Sequence, residues 1–146
     1  MDLKVYDNKL VRIIDNEGNT IEGVCSYNDL ETNEVLYGIK EESLILSCTH
    51  FKKNEIKSIE EINEFSNKYG YLENSIIEDG IIMIQEVLES EEDTSIYRLL
   101  LCIEDKLATF SKEDQKELKK IIVTLTKYNK NNKVLEVANR IIGRME

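Results

Sequence analysis

The one histidine of the chain, His50, stands two residues after Cys48. On a β-strand, side chains two positions apart point to the same face, so this thiol and imidazole could form a nucleophile–base pair. No third orienting residue and no oxyanion-forming glycine lies nearby in the sequence. We therefore interpret His50 as a strand-end histidine beside a buried cysteine, and we expect no catalytic residue and no enzyme activity.

A second group that could do chemistry is the run of residues 89–93, in which four of five side chains are acidic. Carboxylate oxygens are the ligands that divalent cations such as Ca²⁺ prefer. A run of like charges in a connection between helices is, however, typical of a solvated loop. The sequence contains neither a glycine-rich phosphate loop nor a calcium-binding Asp-x-Asp loop. We expect no metal and no cofactor.

Charge is distributed unevenly along the 146 residues, which carry 29 acidic and 19 basic side chains and a formal charge of -10. Residues 1–60 have a net charge of -5, residues 61–105 of -10, and residues 106–146 of +5. A surface of this sign repels phosphate backbones, which excludes a general binder of duplex DNA. The block of residues 78–93 predicts an acidic protein-binding face formed by Glu78, Glu86, Glu89, Glu91, Glu92 and Asp93. The basic last third is either a solvated surface or a patch for RNA or an acidic partner.

The first sixty residues have the alternation that is typical of β-strands. Strands are predicted at residues 10–14, 20–25, 34–39, 43–48 and 55–59, and the first two are joined by a glycine-containing hairpin turn at residues 15–19. Gly23, inside the second strand, predicts a bend or bulge. Five short strands at this spacing indicate a small antiparallel barrel, and we assign it to a first domain of residues 1–60.

This segment resembles the Sm-like (LSm) family, in its divergent bacterial form, and SH3-like barrels more generally. The resemblance rests on Val11 and Ile13 in the first strand, on Gly18 and Gly23 five residues apart, and on Asp29 and Asn33 in the following loop. It implies binding of RNA or a small nucleotide ligand, with Asp29 and Asn33 as the ligand-binding residues. The Arg-Gly or Lys-Gly pair of the second motif of that family is not visible in residues 51–59.

From about residue 60 the apolar residues recur with the helical period of 3.6, and we assign residues 61–146 to a helical domain. Four helices are predicted: residues 75–90, one beginning at residues 93–95, one after Ser111 and one after Asn131 or Asn132. Gly80, inside the first of them, indicates close contact with another element. The fold class is therefore α+β: a five-stranded barrel followed by a helical bundle or a HEAT-like pair of helical hairpins. The residues predicted to be buried are Ile13, Ile21, Ile84, Leu100, Ile103, Leu125 and Ile141.

Two classes of function fit these observations. The first is an acidic protein-interaction module that binds and inhibits or scaffolds another macromolecule with a basic surface, in the manner of immunity proteins, antitoxins or phage-encoded inhibitors. The alternative is an Sm-like RNA- or nucleotide-binding protein. The longest apolar run has five residues, against the roughly 20 that span a bilayer, so no membrane is expected. No secretory signal is visible in the first residues, so we expect the protein in the cytoplasm. An odd number of cysteines without Cys-x-x-Cys spacing fits reduced cysteines packed as small apolar residues.

Overall fold

The structure, a computed structural model, describes residues 1–67, 70–90 and 92–145. The chain divides into two compact units, Met1–Ser66 and Asn67–Glu146. Among the described residues, the first unit contains six strands and one α-helix, and the second contains five α-helices. Each unit has a core of its own, and each is described by itself.

The strands of the first unit form two separate three-stranded antiparallel sheets. The elements are β1 (Leu10–Asp15), β2 (Thr20–Val24), β3 (Ser26–Asn28), α1 (Leu30–Tyr37), β4 (Ser43–Leu46), β5 (Thr49–Lys52) and β6 (Ile56–Glu61). One sheet has the order β2-β1-β6 and the other the order β3-β4-β5. The predicted five-stranded barrel of Sm-like or SH3-like type is therefore wrong, because the described strands do not close on themselves.

The chain changes sheets at Cys25. The backbone N–H of Cys25 donates to the carbonyl of Lys9 at 2.9 Å, and the next residues, Ser26–Asn28, pair with β4 instead of β1. Of the bend or bulge predicted at Gly23, the bulge is wrong, because Gly23 lies opposite Val11 in an uninterrupted register. The irregular register occurs in β1 against β6, between Ile14 and Asp15.

The two sheets share one hydrophobic core. Its buried residues are Leu3, Val11, Ile13, Cys25, Leu44, Leu46, Phe51 and Ile56. The predicted burial of Ile13 is confirmed, whereas its hairpin partner Ile21 is only partly buried against this cluster.

The segment predicted as a strand at residues 34–39 is helix α1 and the residues that follow it, so that prediction is wrong. The residues at the two ends of α1 explain why this segment is helical. The carboxylate of Asp29 accepts a hydrogen bond from the backbone N–H of Thr32 and caps the helix start. Gly38 ends the helix in the left-handed conformation, with φ at 69°, a backbone geometry that glycine adopts without steric cost.

The second unit consists of helices, and side chains cap the starts of the last three that the structure describes. The helices are α2 (Tyr71–Asp79), α3 (Ile81–Leu88), α4 (Asp93–Lys106), α5 (Lys112–Tyr128) and α6 (Asn132–Arg144). Ser111 accepts from the N–H of Asp114, and Asn131 accepts from the N–H groups of Lys133 and Val134. The predicted starts of α5 and α6 are thus confirmed, and α4 begins at Asp93, within the predicted range, although its capping residue is Glu92.

The single helix predicted over residues 75–90 is interrupted at Gly80. This glycine has φ of 102° and ψ of -178°, a combination that is essentially restricted to glycine. Apart from its neighbours in the chain, no atom of the described residues lies within 4 Å of the point where a Cβ would stand, so the predicted close contact with another element is wrong. Gly80 instead ends α2 and allows α3 to begin one residue later.

Helix α4 contributes more buried apolar side chains to the helical core than any other described helix. Its side chains Ile96, Leu99, Leu100, Cys102 and Ile103 are fully buried. It contacts α2, α3 and α6, and α5 packs in turn on α3 and α6. The predicted burial of Ile84, Leu100, Ile103, Leu125 and Ile141 is confirmed.

Replacing Gly80 by alanine tests the interruption. At positive φ a Cβ is strained, so we expect Gly80→Ala to lower the free energy of unfolding by about 1–3 kcal/mol. In an uninterrupted helix the same change would instead stabilise the protein by about 1 kcal/mol. Urea unfolding followed by far-UV circular dichroism gives the sign of the change in the free energy of unfolding. A gain in stability would show that residues 71–88 form one helix.

The central position of α4 generates a second prediction. Because the side chain of Leu100 is fully buried, Leu100→Ala leaves a cavity and should lower the free energy of unfolding by about 2–5 kcal/mol. Urea unfolding followed by far-UV circular dichroism measures this loss. A loss below about 0.5 kcal/mol would mean that the site collapses around the smaller side chain or is not core.

Candidate functional site

The acidic residues nominated from the sequence occupy three different environments in the second unit. Glu78, in the last turn of α2, and Glu86, in α3, are exposed and have no ion pair within the described residues. Glu89, just after α3, is also exposed and accepts a hydrogen bond from the Gln85 side chain at 2.9 Å. These three carboxylates are therefore available to solvent or to a partner.

Glu92 has a local structural role that the sequence interpretation missed. Its carboxylate caps α4 by accepting from the backbone N–H groups of Thr94 at 3.1 Å and Ser95 at 2.9 Å. Substitution of Glu92 would leave backbone N–H groups at the start of α4 without their acceptor. Because such a change would alter the helix itself, Glu92 is unsuited to a test of partner binding. Glu91, also nominated, lies outside the described residues.

Asp93 and Glu89 line a cleft of about 510 Å³, a size within the usual range for binding sites. The cleft lies among the C-terminal end of α3, the start of α4 and the C-terminal end of α5. Its apolar lining comes from Leu88, Ile121 and Leu125. Five further residues complete the lining: Ser90, Thr124, Tyr128, Asn129 and Lys130.

The carboxylate of Asp93 is half-buried at this cleft. Burial raises the pKa of Asp93 above its ordinary value, although the Asn129 side chain donates a hydrogen bond to it at 2.8 Å. The amide oxygen of Asn129 accepts from the backbone N–H of Asn131 at 2.9 Å, which fixes the orientation of the Asn129 side chain. A cation placed beside Asp93 would stabilise its ionised form.

The α5 side of the cleft was not recognised from the sequence. Tyr128 fits the apolar stripe of its helix, yet 78% of this residue is exposed. Asn129 is separated from Asp93 by 36 positions, and no local pattern connects the two. The one available signal was that α5 ends with an aromatic residue directly before an asparagine-rich connection.

All four arginines of the chain are paired with carboxylates inside their own unit. Arg12 pairs with Glu22 and Glu60, and Arg98 pairs with Glu73 at 2.8 Å. The other two arginines, Arg140 and Arg144, both pair with the carboxylate of Glu104.

Glu104 accepts from Arg140 through two guanidinium nitrogens, Nε at 2.6 Å and Nη2 at 2.8 Å. Arg144 approaches the same carboxylate at 3.9 Å. The hydrogen bonds from Arg140 lower the pKa of Glu104 below its ordinary value. The basic surface of α5 and α6 thus offers lysines, while both of its arginines are engaged internally.

The two residues of the nucleotide-binding alternative lie at helix α1 and both take part in internal hydrogen bonds. Asp29 caps the helix, and the backbone N–H of Thr32 lowers its pKa. Asn33 is fully buried, and its amide nitrogen donates to the Glu41 carbonyl at 2.8 Å and to the Ser43 hydroxyl at 2.9 Å. Its amide oxygen accepts from the Asn28 side chain at 3.1 Å.

His50 and Cys48 do not share a strand. Cys48 is exposed in the tight turn between β4 and β5, with φ of 63°, and His50 lies on β5. The Nδ1 atom of His50 is 3.2 Å from the Ser43 hydroxyl, and its ring lies edge-on to Tyr37 with the centroids 4.4 Å apart. The predicted buried cysteine is therefore wrong, because Cys48 is exposed, while His50 lies near the start of β5.

Within residues 1–67, 70–90 and 92–145, no three His, Cys, Asp or Glu side chains are grouped so that they could hold a metal ion. No helix of this described part has the length and apolar character needed to cross a membrane. In comparisons with known proteins, no family model matches the chain, and no curated protein or solved structure is detectably similar to it. The Sm-like resemblance therefore has no support from related proteins.

Replacing Asn33 by alanine separates a structural role from a ligand-binding role. The change leaves the polar groups that face Asn33 unsatisfied, so we expect a loss of about 1–3 kcal/mol in the free energy of unfolding. Hydrogen exchange at the α1 amides should accelerate together with it. The exposed Asn63, whose side chain makes no hydrogen bond within the described residues, provides a matched control, and Asn63→Ala should cost less than about 0.5 kcal/mol. Unchanged stability of Asn33→Ala would contradict the structural role.

Proposed function

We propose that the protein is a non-enzymatic interaction module that binds a second protein with a basic surface and blocks or scaffolds it. Immunity proteins, antitoxins and phage-encoded inhibitors act in this manner. The proposed contact surface, which we call the acidic surface, consists of Glu78, Glu86, Glu89 and the cleft at Asp93.

The observation that carries the proposal is the division of the acidic residues into two groups. Glu22, Glu60, Glu73 and Glu104 are paired with the arginines of the chain. Glu78 and Glu86, by contrast, have no ion pair among the described residues, so their charge is not neutralised locally. Uncompensated surface carboxylates attract basic proteins over distances of about 10 Å at 0.1 M salt and accelerate their encounter.

The cleft adds a feature that can select one cationic group. A lysine or arginine side chain of a partner could enter beside Asp93 and extend its aliphatic part along Leu88 and Leu125. The exposed ring of Tyr128 could provide a cation–π contact at the same place. Lys130 also lines the cleft, so the incoming cation would bind on the Asp93 side.

We further propose that this binding takes place in the cytoplasm. The three cysteines are free thiols, including Cys48 at the surface, as is usual in a reducing compartment.

Charge reversal tests the acidic surface. The triple variant Glu78→Lys, Glu86→Lys, Glu89→Lys changes exposed residues and leaves the cap at Glu92 in place. We expect it to slow association with the partner by about tenfold at low ionic strength and to flatten the dependence of the association rate on salt. The partner is obtained by affinity capture with the whole chain from the producing cells, and association rates are then measured by biolayer interferometry.

The control variant Glu17→Lys, Glu64→Lys, Asp105→Lys has the same change of net charge at other exposed positions. It should associate within about threefold of the native rate, since only long-range steering is altered. Equal rates for the two variants would contradict the acidic surface. Submicromolar binding of a uridine-rich or adenine-rich oligonucleotide by the native protein at physiological salt would contradict the choice of a protein partner.

A further inference from the structure

Helix α1, in the first unit, has the reverse of the usual burial pattern. Of its eight residues only Asn33 is buried, whereas its four large apolar residues are exposed. The exposed fractions are 47% for Leu30, 83% for Val35, 63% for Leu36 and 52% for Tyr37. These four residues are distributed around the short helix, and the two most exposed of them, Val35 and Leu36, are adjacent. We call the four together the apolar surface.

Hydrogen bonds, and not apolar packing, hold this helix. The Asn33 side chain connects it to residue 41 and to β4, and Asp29 caps its start. At its end the N–H of Gly38 donates to the carbonyls of Asn33 and Glu34. The apolar surface therefore contributes little to folding, and water around it is released only when another molecule covers it.

Part of the apolar surface is already ordered. The ring of Tyr37 lies edge-on to His50, and His50 is held by the buried Ser43 hydroxyl. A tyrosine fixed in this way loses less side-chain entropy on binding than a freely rotating one. Tyrosine is also among the residues that contribute most to protein interfaces.

The charges around the apolar surface indicate what covers it. Residues 29–40 contain three acids and one lysine. Glu31 and Glu34, the charged residues of the helix itself, have no ion pair within the described part of the chain. Nearby Glu41 and Glu42 are paired, with Lys52 at 3.8 Å and Lys53 at 3.5 Å.

The uncompensated charge next to the apolar surface is therefore negative. A second copy of the chain would bring Glu31 and Glu34 against the same residues of its partner, which is unfavourable. A segment with aliphatic side chains between lysines or arginines would instead complement both the apolar residues and the carboxylates.

We propose that α1 is a docking surface for a protein segment that presents aliphatic side chains flanked by lysine or arginine. This surface lies in the first unit, and it does not depend on the acidic surface of the second unit. Apolar contacts to Val35 and Leu36 supply affinity, and Glu31 and Glu34 select for basic flanks.

The probe is a short synthetic amphipathic peptide of leucine and lysine, titrated into the whole isotope-labelled chain and followed by the backbone amide signals. Two further peptides replace every leucine by alanine or every lysine by glutamate. We expect the leucine–lysine peptide to shift the amides of residues 30–38, and the other two to bind at least about tenfold more weakly.

The charge-neutral variant Val35→Ser, Leu36→Ser should weaken binding of the leucine–lysine peptide at residues 30–38 by at least about tenfold. Its spectrum outside α1 should be unchanged, because both residues are exposed. The matched control Ile82→Ser, Met83→Ser changes two exposed apolar residues of α3 and should bind within about twofold of the native chain.

The proposal would be overturned if the Val35→Ser, Leu36→Ser chain bound the leucine–lysine peptide as tightly as the native chain does. It would also be overturned if the native chain bound the glutamate peptide as tightly as the leucine–lysine peptide. A native dimer in sedimentation that this variant converts to a monomer would also overturn it, and would assign the surface to contact between copies. The variant Glu78→Lys, Glu86→Lys, Glu89→Lys should retain the shifts at residues 30–38. Failure of the acidic surface is thereby distinguished from failure of this one.

Discussion

The first unit depends on the buried amide of Asn33. A buried polar side chain must find hydrogen-bond partners, and this one finds them on three segments: residue 28, residue 41 and Ser43 on β4. Ser43 extends the network to His50 on β5, and His50 in turn contacts Tyr37. The helix, the second sheet and the ring of Tyr37 are thus placed by one polar network. Since the helix is attached through its polar residue, its apolar residues are left for other contacts.

The second unit, like the first, has an apolar core, and ion pairs at its edges connect its helices. Helix α4 contributes a continuous buried face, and its side chains Arg98 and Glu104 pair with Glu73 on α2 and Arg140 on α6. Besides the cap formed by Glu92, glutamate has two roles in this unit. A glutamate that pairs with an arginine of another helix connects the two helices. A glutamate without such a partner, such as Glu86, leaves its negative charge on the surface.

The sequence predicted the elements best where one local signal was sufficient. Side-chain caps such as Ser111 and Asn131 predicted the starts of α5 and α6, and the 3.6-residue period predicted the buried face of α4. Helix α1 was mistaken for a strand because its apolar residues face solvent. Their spacing therefore does not indicate which side of the helix faces the core.

The barrel was predicted because strand spacing does not record which strands pair. The change of sheets at Cys25 depends on contacts distant in sequence, and strands as short as β3 leave almost no periodic signal. The candidate site was predicted only on one side. Glu89 and Asp93 belong to the acidic block, whereas Asn129 reaches Asp93 from a different helix end.

The turn between β4 and β5 has a practical consequence for probing this molecule. Burial raises the pKa of the Cys25 thiol to about 12 and also raises that of Cys102, so both resist conversion to the reactive thiolate. Cys48 stands exposed at the turn, two residues before the histidine that contacts Tyr37. A maleimide-linked fluorophore should therefore attach at one site in the native sequence. It would report on occupancy near α1 without the removal of any other cysteine.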